Sequence, residues 1–205
     1  LTDASLSGNV ARGCTASERA ALQPGEGCGD AGALFLWSTS AGCVDTVLSA
    51  NHAARYGGGI RGLSATFALQ GSSSSLPLNS AGRYFIPQSA ESAVSSGGGA
   101  YFYLSTASLK NARILGNEAI GQGGGGALAW SSTLTLEDCV VDENIAPSGS
   151  GLNLIENVLV SLLRTVFGNN GLVGGGDTAL DIFARDAGDP GSIVSAAAGT
   201  LSAQL

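Results

Sequence analysis

The sequence predicts an all-β protein that folds as a parallel β-helix of about six coils. The first observation behind this prediction is a short motif that recurs six times along the chain. The second is glycine, which supplies 32 of the 205 residues without the Gly-X-Y period of collagen. Each glycine costs about 1 kcal/mol relative to alanine inside a helix. A run such as the four glycines at 123–126 therefore marks a turn between strands.

The repeated motif reads apolar, two variable residues, Asn or Gln, one variable residue, then Ala or Leu. Its copies lie at 6–11, 48–53, 85–90, 114–119, 141–146 and 167–172. Each copy precedes a glycine-rich stretch and a short apolar run. The amide positions are Asn9, Asn51, Gln88, Asn117, Asn144 and Asn170. Tandem units of this length, with loops of variable size, are typical of a solenoid in which each unit stacks on its neighbours.

Columns of equivalent residues test this interpretation, because successive coils of a β-helix lie about 4.8 Å apart. Three interior columns are expected, and their members are Leu6, Leu48, Phe85, Ile114, Val141 and Phe167; Cys43, Ser80, Leu109, Leu136 and Leu162; and Ala41, Leu78, Ala107, Leu134 and Val160. Two outer columns are expected to place Lys110 beside Glu137 and Asp138 beside Arg164.

The amide column is predicted to form a structural ladder. An amide stacked on an amide in every coil can satisfy corner backbone groups that would otherwise be buried without a partner. Asparagine also tolerates the left-handed backbone of a sharp corner. The glycines are expected at a second corner, where positive φ and the close approach of neighbouring coils exclude a Cβ.

The recurring tetrapeptides resemble the FxxN and GGA(I/L) repeats of the polymorphic outer membrane proteins. They are Phe167 to Asn170, Leu48 to Asn51 and Ile114 to Asn117, together with GGAY at 98–101, GGAL at 125–128 and GGGI at 57–60. The resemblance covers most of residues 1–183. It implies a right-handed parallel β-helix in a cell-surface or secreted protein, with a role in adhesion or surface coating.

The domain organisation is expected to be simple. Residues 1–205 read as a single β-helix domain, which contains no methionine and which we expect to be a segment of a longer protein. Two insertion loops are predicted, a cysteine-bearing loop at 12–30 and a serine-rich loop at 70–83. No apolar stretch has the 18 or so residues of a membrane span.

Charge and cysteine usage limit the partners and cofactors. A net charge of −7 disfavours binding to nucleic acid. A disulfide between Cys14 and Cys28 is predicted, with Cys43 as the rival partner for either, and Cys139 is expected to remain a buried thiol. The four cysteines and single histidine do not have zinc-site spacing, so no metal or cofactor is predicted.

Several polar and aromatic residues are candidates for chemistry or ligand binding. The acidic group Glu137, Asp138, Asp142 and Glu143 is interpreted as a solvated face. The second acidic group, Asp177, Asp181, Asp186 and Asp189, is interpreted as turn residues, with a cation site as the alternative. His52 is interpreted as a surface or turn residue. The aromatic residues Trp37, Tyr101, Tyr103 and Trp130 are expected to pack in the core or in a stack, and a sugar-binding strip is the alternative.

These observations favour a non-enzymatic extracellular or cell-surface module that acts as a rigid scaffold in adhesion. Its expected partners are proteins or further coils of a larger assembly, and glycans are possible ligands. The alternative is a carbohydrate-active or carbohydrate-binding β-helix, similar to pectate lyases, that acts on acidic polysaccharide.

Overall fold

The computed structural model describes residues 1–12, 29–82, 95–121, 123–156 and 158–172, and the backbone of two further strands at 182–185 and 193–196. It is a right-handed parallel β-helix of six coils. Each coil contributes four short strands, and none of the described residues is helical. The predicted fold class is therefore confirmed.

The strands follow one another in the same order in every coil. Coils one to three contain β1 (Ser5–Ser7), β2 (Val10–Ala11), β3 (Leu34–Trp37) and β4 (Ser40–Val44); β5 (Val47–Ser49), β6 (His52–Ala53), β7 (Ile60–Leu63) and β8 (Thr66–Gln70); β9 (Ser75–Pro77), β10 (Ser80–Ala81), β11 (Ala100–Tyr103) and β12 (Thr106–Lys110). Coils four to six contain β13 (Arg113–Leu115), β14 (Glu118–Ala119), β15 (Ala127–Trp130) and β16 (Thr133–Glu137); β17 (Val140–Asp142), β18 (Ile145–Ala146), β19 (Leu152–Ile155) and β20 (Leu159–Leu163); β21 (Val166–Gly168), β22 (Gly171–Leu172), β23 (Ile182–Arg185) and β24 (Ile193–Ala196).

Strands at the same place in each coil pair in parallel and form four six-stranded sheets. Sheet 1 runs from β1 to β21, sheet 2 from β2 to β22, sheet 3 from β3 to β23 and sheet 4 from β4 to β24. The last strand, β24, pairs in parallel with β20 and belongs to the sixth coil.

The core is a set of apolar columns inside the coils. Alternation along each strand directs every second side chain inward, where successive coils bury it against its equivalents. The sheet 1 column is Leu6, Leu48, Leu76, Ile114, Val141 and Phe167. A sheet 4 column contains Cys43, Leu69, Leu109, Leu136 and Leu162.

The predicted register of the third coil is wrong. Its motif copy lies at 76–81 rather than 85–90, so Asn79 occupies the position assigned to Gln88, and Leu76 that assigned to Phe85. Gln88 and Phe85 lie outside the described residues. In the interior columns of sheet 4, Leu69 and Phe67 occupy the places assigned to Ser80 and Leu78.

The same shift corrects the serine-rich loop predicted at 70–83. That range contains β9, the ladder residue Asn79 and β10, all in register with their neighbours. Among the described residues 70–82, the corner at 71–74 resembles a loop, and Ser74 there is fully buried. The extra length of the third coil instead lies between β10 and β11. The predicted loop at 12–30 falls mainly outside the described residues.

The corners between sheets use left-handed backbone, although not at the ladder asparagines. The residue before each ladder asparagine has positive φ: Gly8, Ala50, Leu78, Gly116, Glu143 and Asn169. The ladder asparagines themselves do not, which corrects the prediction for these positions. The glycine corner between sheets 2 and 3 behaves as predicted. Gly97 has φ of +68°, and a Cβ on Gly98 would lie 2.5 Å from the Glu118 carbonyl oxygen of the next coil.

Candidate functional site

The most regular polar feature of the molecule is a ladder of six asparagines, Asn9, Asn51, Asn79, Asn117, Asn144 and Asn170. At each step the backbone N–H and side-chain Nδ2 of one asparagine both donate to Oδ1 of the next. For Asn117 and Asn144 these distances are 3.0 and 2.9 Å. The intervals along the chain are 42, 28, 38, 27 and 26 residues.

The five ladder asparagines that follow Asn9 each make one further hydrogen bond. In each, Nδ2 donates to the carbonyl oxygen of the inward apolar residue one coil earlier, as Asn51 does to Leu6 at 2.9 Å and Asn117 to Leu76 at 2.7 Å. In Asn51, Asn79, Asn117 and Asn144 both amide hydrogens are thereby used, and the corner carbonyls are satisfied inside the coil. The ladder predicted from the sequence is present, with Asn79 in place of Gln88.

A second column of small side chains, four of which form hydrogen bonds, follows the corner between sheets 4 and 1. Its members are Thr46, Ser74, Ala112, Cys139 and Thr165, each five positions before a ladder asparagine. Thr165 donates to the carbonyl oxygens of Leu163 and Leu136. The Cys139 thiol donates to the matching carbonyls of Glu137 and Leu109, both at 3.3 Å.

Cysteine chemistry follows from this column and from burial. Cys139 and Cys43 are free, buried thiols, and burial raises the pKa of both. The expectation that Cys139 remains a buried thiol is confirmed. Cys43 forms no disulfide, so its role as rival partner is wrong. Cys14 and Cys28 lie outside the described residues.

A charged network lies on the outer face of sheet 4. Arg164 donates to both carboxylate oxygens of Asp138, at 2.5 and 2.7 Å, and to Glu137 at 2.9 Å. Lys110 lies 3.0 Å from the other oxygen of Glu137. The hydrogen bond from Lys110 lowers the pKa of Glu137, and that from Arg164 lowers the pKa of Asp138. The two pairs predicted from the sequence are confirmed.

His52 has a partner that the sequence did not indicate. It begins β6, and its Nδ1 lies 2.7 Å from Oγ of Ser80 in the next coil. The sequence prediction places Ser80 in an interior column and therefore does not indicate this pair. A serine–histidine–carboxylate relay requires the acid beside the other ring nitrogen. In sheet 2, His52 lies between Val10 and Ser80. The acid Glu118 pairs with Ser80 on the side away from His52.

The outer face of sheet 3 carries an unbroken apolar column, which we call the outer aromatic column: Trp37, Leu63, Tyr103, Trp130 and Ile155. Of the expected packing in the core or in a stack, the core does not hold these three aromatic residues, because Leu36, Phe102 and Ala129 occupy the inward positions. The stack is present for Tyr103 and Trp130, which are neighbours in one column. The Tyr103 and Trp130 rings do meet edge to face, at 5.5 Å between centroids. Trp37 is 67% exposed.

Beside this column, Arg61 is enclosed by aromatic rings. Its guanidinium lies 5.3 Å from the Phe35 ring, 5.0 Å from Tyr56 and 5.9 Å from Tyr101, and it forms an ion pair with Asp30. Burial lowers the pKa of Arg61 and raises that of Tyr101. Tyr101 is therefore a buried member of this cluster, whereas Trp37 at the end of the column is open to solvent.

Within the described residues, no three His, Cys, Asp or Glu side chains come together as a metal-binding group. Asp177, Asp181, Asp186 and Asp189, weighed as a cation site, lie outside those residues. The part of the chain that the structure describes contains no helix of the length and apolar character needed to cross a membrane.

The fold and these surfaces define the chain as a right-handed parallel β-helix with an asparagine ladder. Comparison with models of known protein families, with curated protein sequences and with solved structures gave no match.

Proposed function

We propose that the chain is a non-enzymatic structural module of a cell-surface or secreted protein, in which a rigid β-helix holds a binding face for protein partners. The observation that carries this proposal is the ladder, in which five of the six asparagines are fully buried. Four of these five form hydrogen bonds to the coils on both sides, and Asn170 forms hydrogen bonds to the preceding coil. Such a column ties every coil to the next, so local bending would break buried hydrogen bonds.

The binding face in this proposal is the outer aromatic column. Aromatic side chains are enriched at protein interfaces because they bury large apolar area at low entropic cost. Five coils at about 4.8 Å give this column a length of about 19 Å. Trp37, Tyr103 and Trp130 belong to it, and no charged residue interrupts it between Trp37 and Ile155. The resemblance to polymorphic outer membrane protein repeats supports the same surface role.

The proposal predicts where the protein is found. Antibodies raised against the folded chain should label intact cells that produce it, or their medium, without permeabilisation. Labelling that requires permeabilisation, with none in the medium, would contradict a surface or secreted location.

The partner face is tested on the same cells by a photo-crosslinking amino acid placed at Trp37 or Leu63, with Arg113 on sheet 1 as the matched control position. One partner protein should crosslink from both sheet 3 positions and not from Arg113. Equal crosslinking from all three positions would remove the outer aromatic column from the proposal.

A second candidate function is carbohydrate binding on the same face. It is favoured by the solvent-facing position of Trp37 and Trp130, since flat aromatic rings stack on sugar faces. Binding to a panel of polysaccharides, acidic ones included, should then weaken on Trp37→Ala or Trp130→Ala, and persist on Val166→Ala, an exposed change on sheet 1. The absence of binding by the unmodified protein would exclude this candidate.

A further inference from the structure

The outer face of sheet 4 carries hydroxyl groups in a regular arrangement. Strands β8, β12, β16 and β20 pair in parallel without any shift in register, so their outward residues form straight columns across four coils. Two neighbouring columns contribute the side chains that we call the hydroxyl grid: Thr66, Thr106 and Thr133 in one column, and Ser108, Thr135 and Ser161 in the other. Ala68 and Leu159 occupy the remaining two places of these columns in the four coils.

The backbone fixes the periods of the hydroxyl grid. Members of one column lie on adjacent strands, about 4.8 Å apart. Members on one strand, such as Thr106 and Ser108, are two residues apart, which is about 6.6 Å at the rise of a parallel strand. The inward residues of the same strands, such as Ala107 and Leu134, are packed in the core. The hydroxyls therefore repeat in two directions on a rigid support.

The hydroxyls of the grid are available to a partner. No side chain of the hydroxyl grid forms a hydrogen bond with any of the described residues. This distinguishes the grid from Ser105 and Ser132 in the adjoining corner, which are buried and donate to the carbonyl oxygens of Tyr103 and Trp130. In coils two to five, the strands of sheet 4 are joined to their neighbours by corners of two to four residues, so no long connection begins beside the grid.

The hydroxyl grid is also free of charge. Its nearest charged neighbours, Lys110 and Glu137, lie in the next outward column, toward the corner with sheet 1, and pair with each other. The equivalent outer columns of sheet 1 are interrupted by Arg113 and Asp142. A surface of hydroxyl and methyl groups retains its hydration water less strongly than ionised groups do, and is therefore cheaper to bring against a solid face.

We propose that the hydroxyl grid is an ice-binding surface. A rigid array that is periodic in two directions is matched best by a partner with the same two periods, and such a partner is a crystal face. Oxygen atoms on a prism face of ice repeat with similar periods in two perpendicular directions. Serine and threonine hydroxyls both donate and accept hydrogen bonds, as water does, so the grid hydroxyls take the places of lattice oxygens. The threonine methyl groups and Leu159 add apolar contact with the flat face.

The chemistry of the grid favours ice over a crystalline polysaccharide, which is also periodic. Sugar rings are bound by stacking on flat aromatic side chains, and the grid contains none. The exposed aromatic residues lie on sheet 3 instead, in the outer aromatic column. The inference is therefore separate from the proposed scaffold role and does not depend on that column.

The test measures how the chain partitions between growing ice and liquid when a dilute solution freezes slowly on a cooled surface. The unmodified chain should be enriched in the ice relative to an inert soluble protein of similar size. Thr106→Lys and Ser108→Lys, one exposed change in each column, should each reduce the amount in ice about tenfold or more, because a long charged side chain prevents close contact with a flat crystal. Val166→Lys on sheet 1 adds the same charge and should partition like the unmodified chain. Circular dichroism verifies that each variant is folded.

Three outcomes overturn the proposal. The first is exclusion of the unmodified, folded chain from the ice. The second is an equal amount in the ice of the unmodified chain and of the folded Thr106→Lys and Ser108→Lys variants, which would mean that another surface binds. The third comes from incubating the same proteins with crystalline cellulose and chitin. Binding to either solid that Thr106→Lys abolishes, without incorporation into ice, would assign the grid to a polysaccharide.

Discussion

The Nδ2 atom of Asn117 lies 2.9 Å from Oδ1 of Asn144 and 2.7 Å from the carbonyl oxygen of Leu76, so one side chain joins three consecutive coils. Its own Oδ1 accepts from the N–H and Nδ2 of Asn79. Since Asn117 is fully buried, water cannot replace these partners. Each buried ladder asparagine is therefore expected to contribute separately to the stability of the fold.

Replacing Asn117 with Ala should therefore destabilise the protein by about 3 kcal/mol or more, because the donors of Asn79 and the carbonyl of Leu76 would be buried without partners. Asn9→Ala at the exposed end is the matched control, and should cost less than about 1 kcal/mol. Urea unfolding followed by circular dichroism measures both. If both variants lost the same free energy of unfolding, burial would not increase the contribution of a ladder asparagine to stability.

The ladder illustrates how much the sequence could predict. Asparagines at 117, 144 and 170 recur at nearly constant spacing, so the repeat alone places them in one column. The predicted third coil is misplaced because two segments, 76–81 and 85–90, fit the same motif. An insertion can lie on either side of a corner without changing the spacing of the later coils.

A signal for the correct third coil was nevertheless present. The residue five positions before each ladder asparagine is small, as Thr46, Cys139 and Thr165 are, because it packs inside a corner. Counting back from Asn79 gives Ser74, whereas counting back from Gln88 gives Arg83. The outer aromatic column was harder to predict, since alternation identifies two faces of a strand but not which one points inward.

The glycine corner makes a second prediction. An Ala Cβ at Gly98 would lie 2.5 Å from the Glu118 carbonyl oxygen and 2.6 Å from that of Gly125, and backbone atoms of neighbouring coils cannot move aside individually. Gly98→Ala should cost about 3 kcal/mol or more. Gly42→Ala is the matched control, since a Cβ there meets nothing within 4 Å, and it should stay within about 0.5 kcal/mol. Thermal unfolding of both variants measures this difference, and similar midpoints would contradict the close approach.

The thiols provide a third prediction. Burial raises the pKa of Cys43 and Cys139, and the thiolate is the reactive form. In a variant with Cys14→Ser and Cys28→Ser, neither remaining thiol should react with an aromatic disulfide reagent at pH 8 until the protein unfolds. Both should titrate in denaturant, and Cys139→Ser should reduce the total to one. Rapid reaction in the folded protein would contradict the burial of these side chains.

The charged network on sheet 4 gives the fourth prediction, which concerns pH. The folded-state pKa values of Glu137 and Asp138 lie below their ordinary values of 4.5 and 3.8. Carboxyl groups with a depressed pKa stabilise the fold above the unfolded-state pKa, and this contribution is lost as the pH falls through the folded-state values.

Arg164→Ala should therefore lower the urea midpoint at pH 7, by a small amount because the network is exposed. The difference from the unmodified protein should shrink as the pH falls below about 4, and it should also shrink in 1 M salt because salt screens exposed charges. Arg113→Ala, an exposed arginine on sheet 1, controls for the loss of one positive charge. A stability difference for Arg164→Ala that stays constant from pH 7 to pH 2 would contradict the role of the carboxylates.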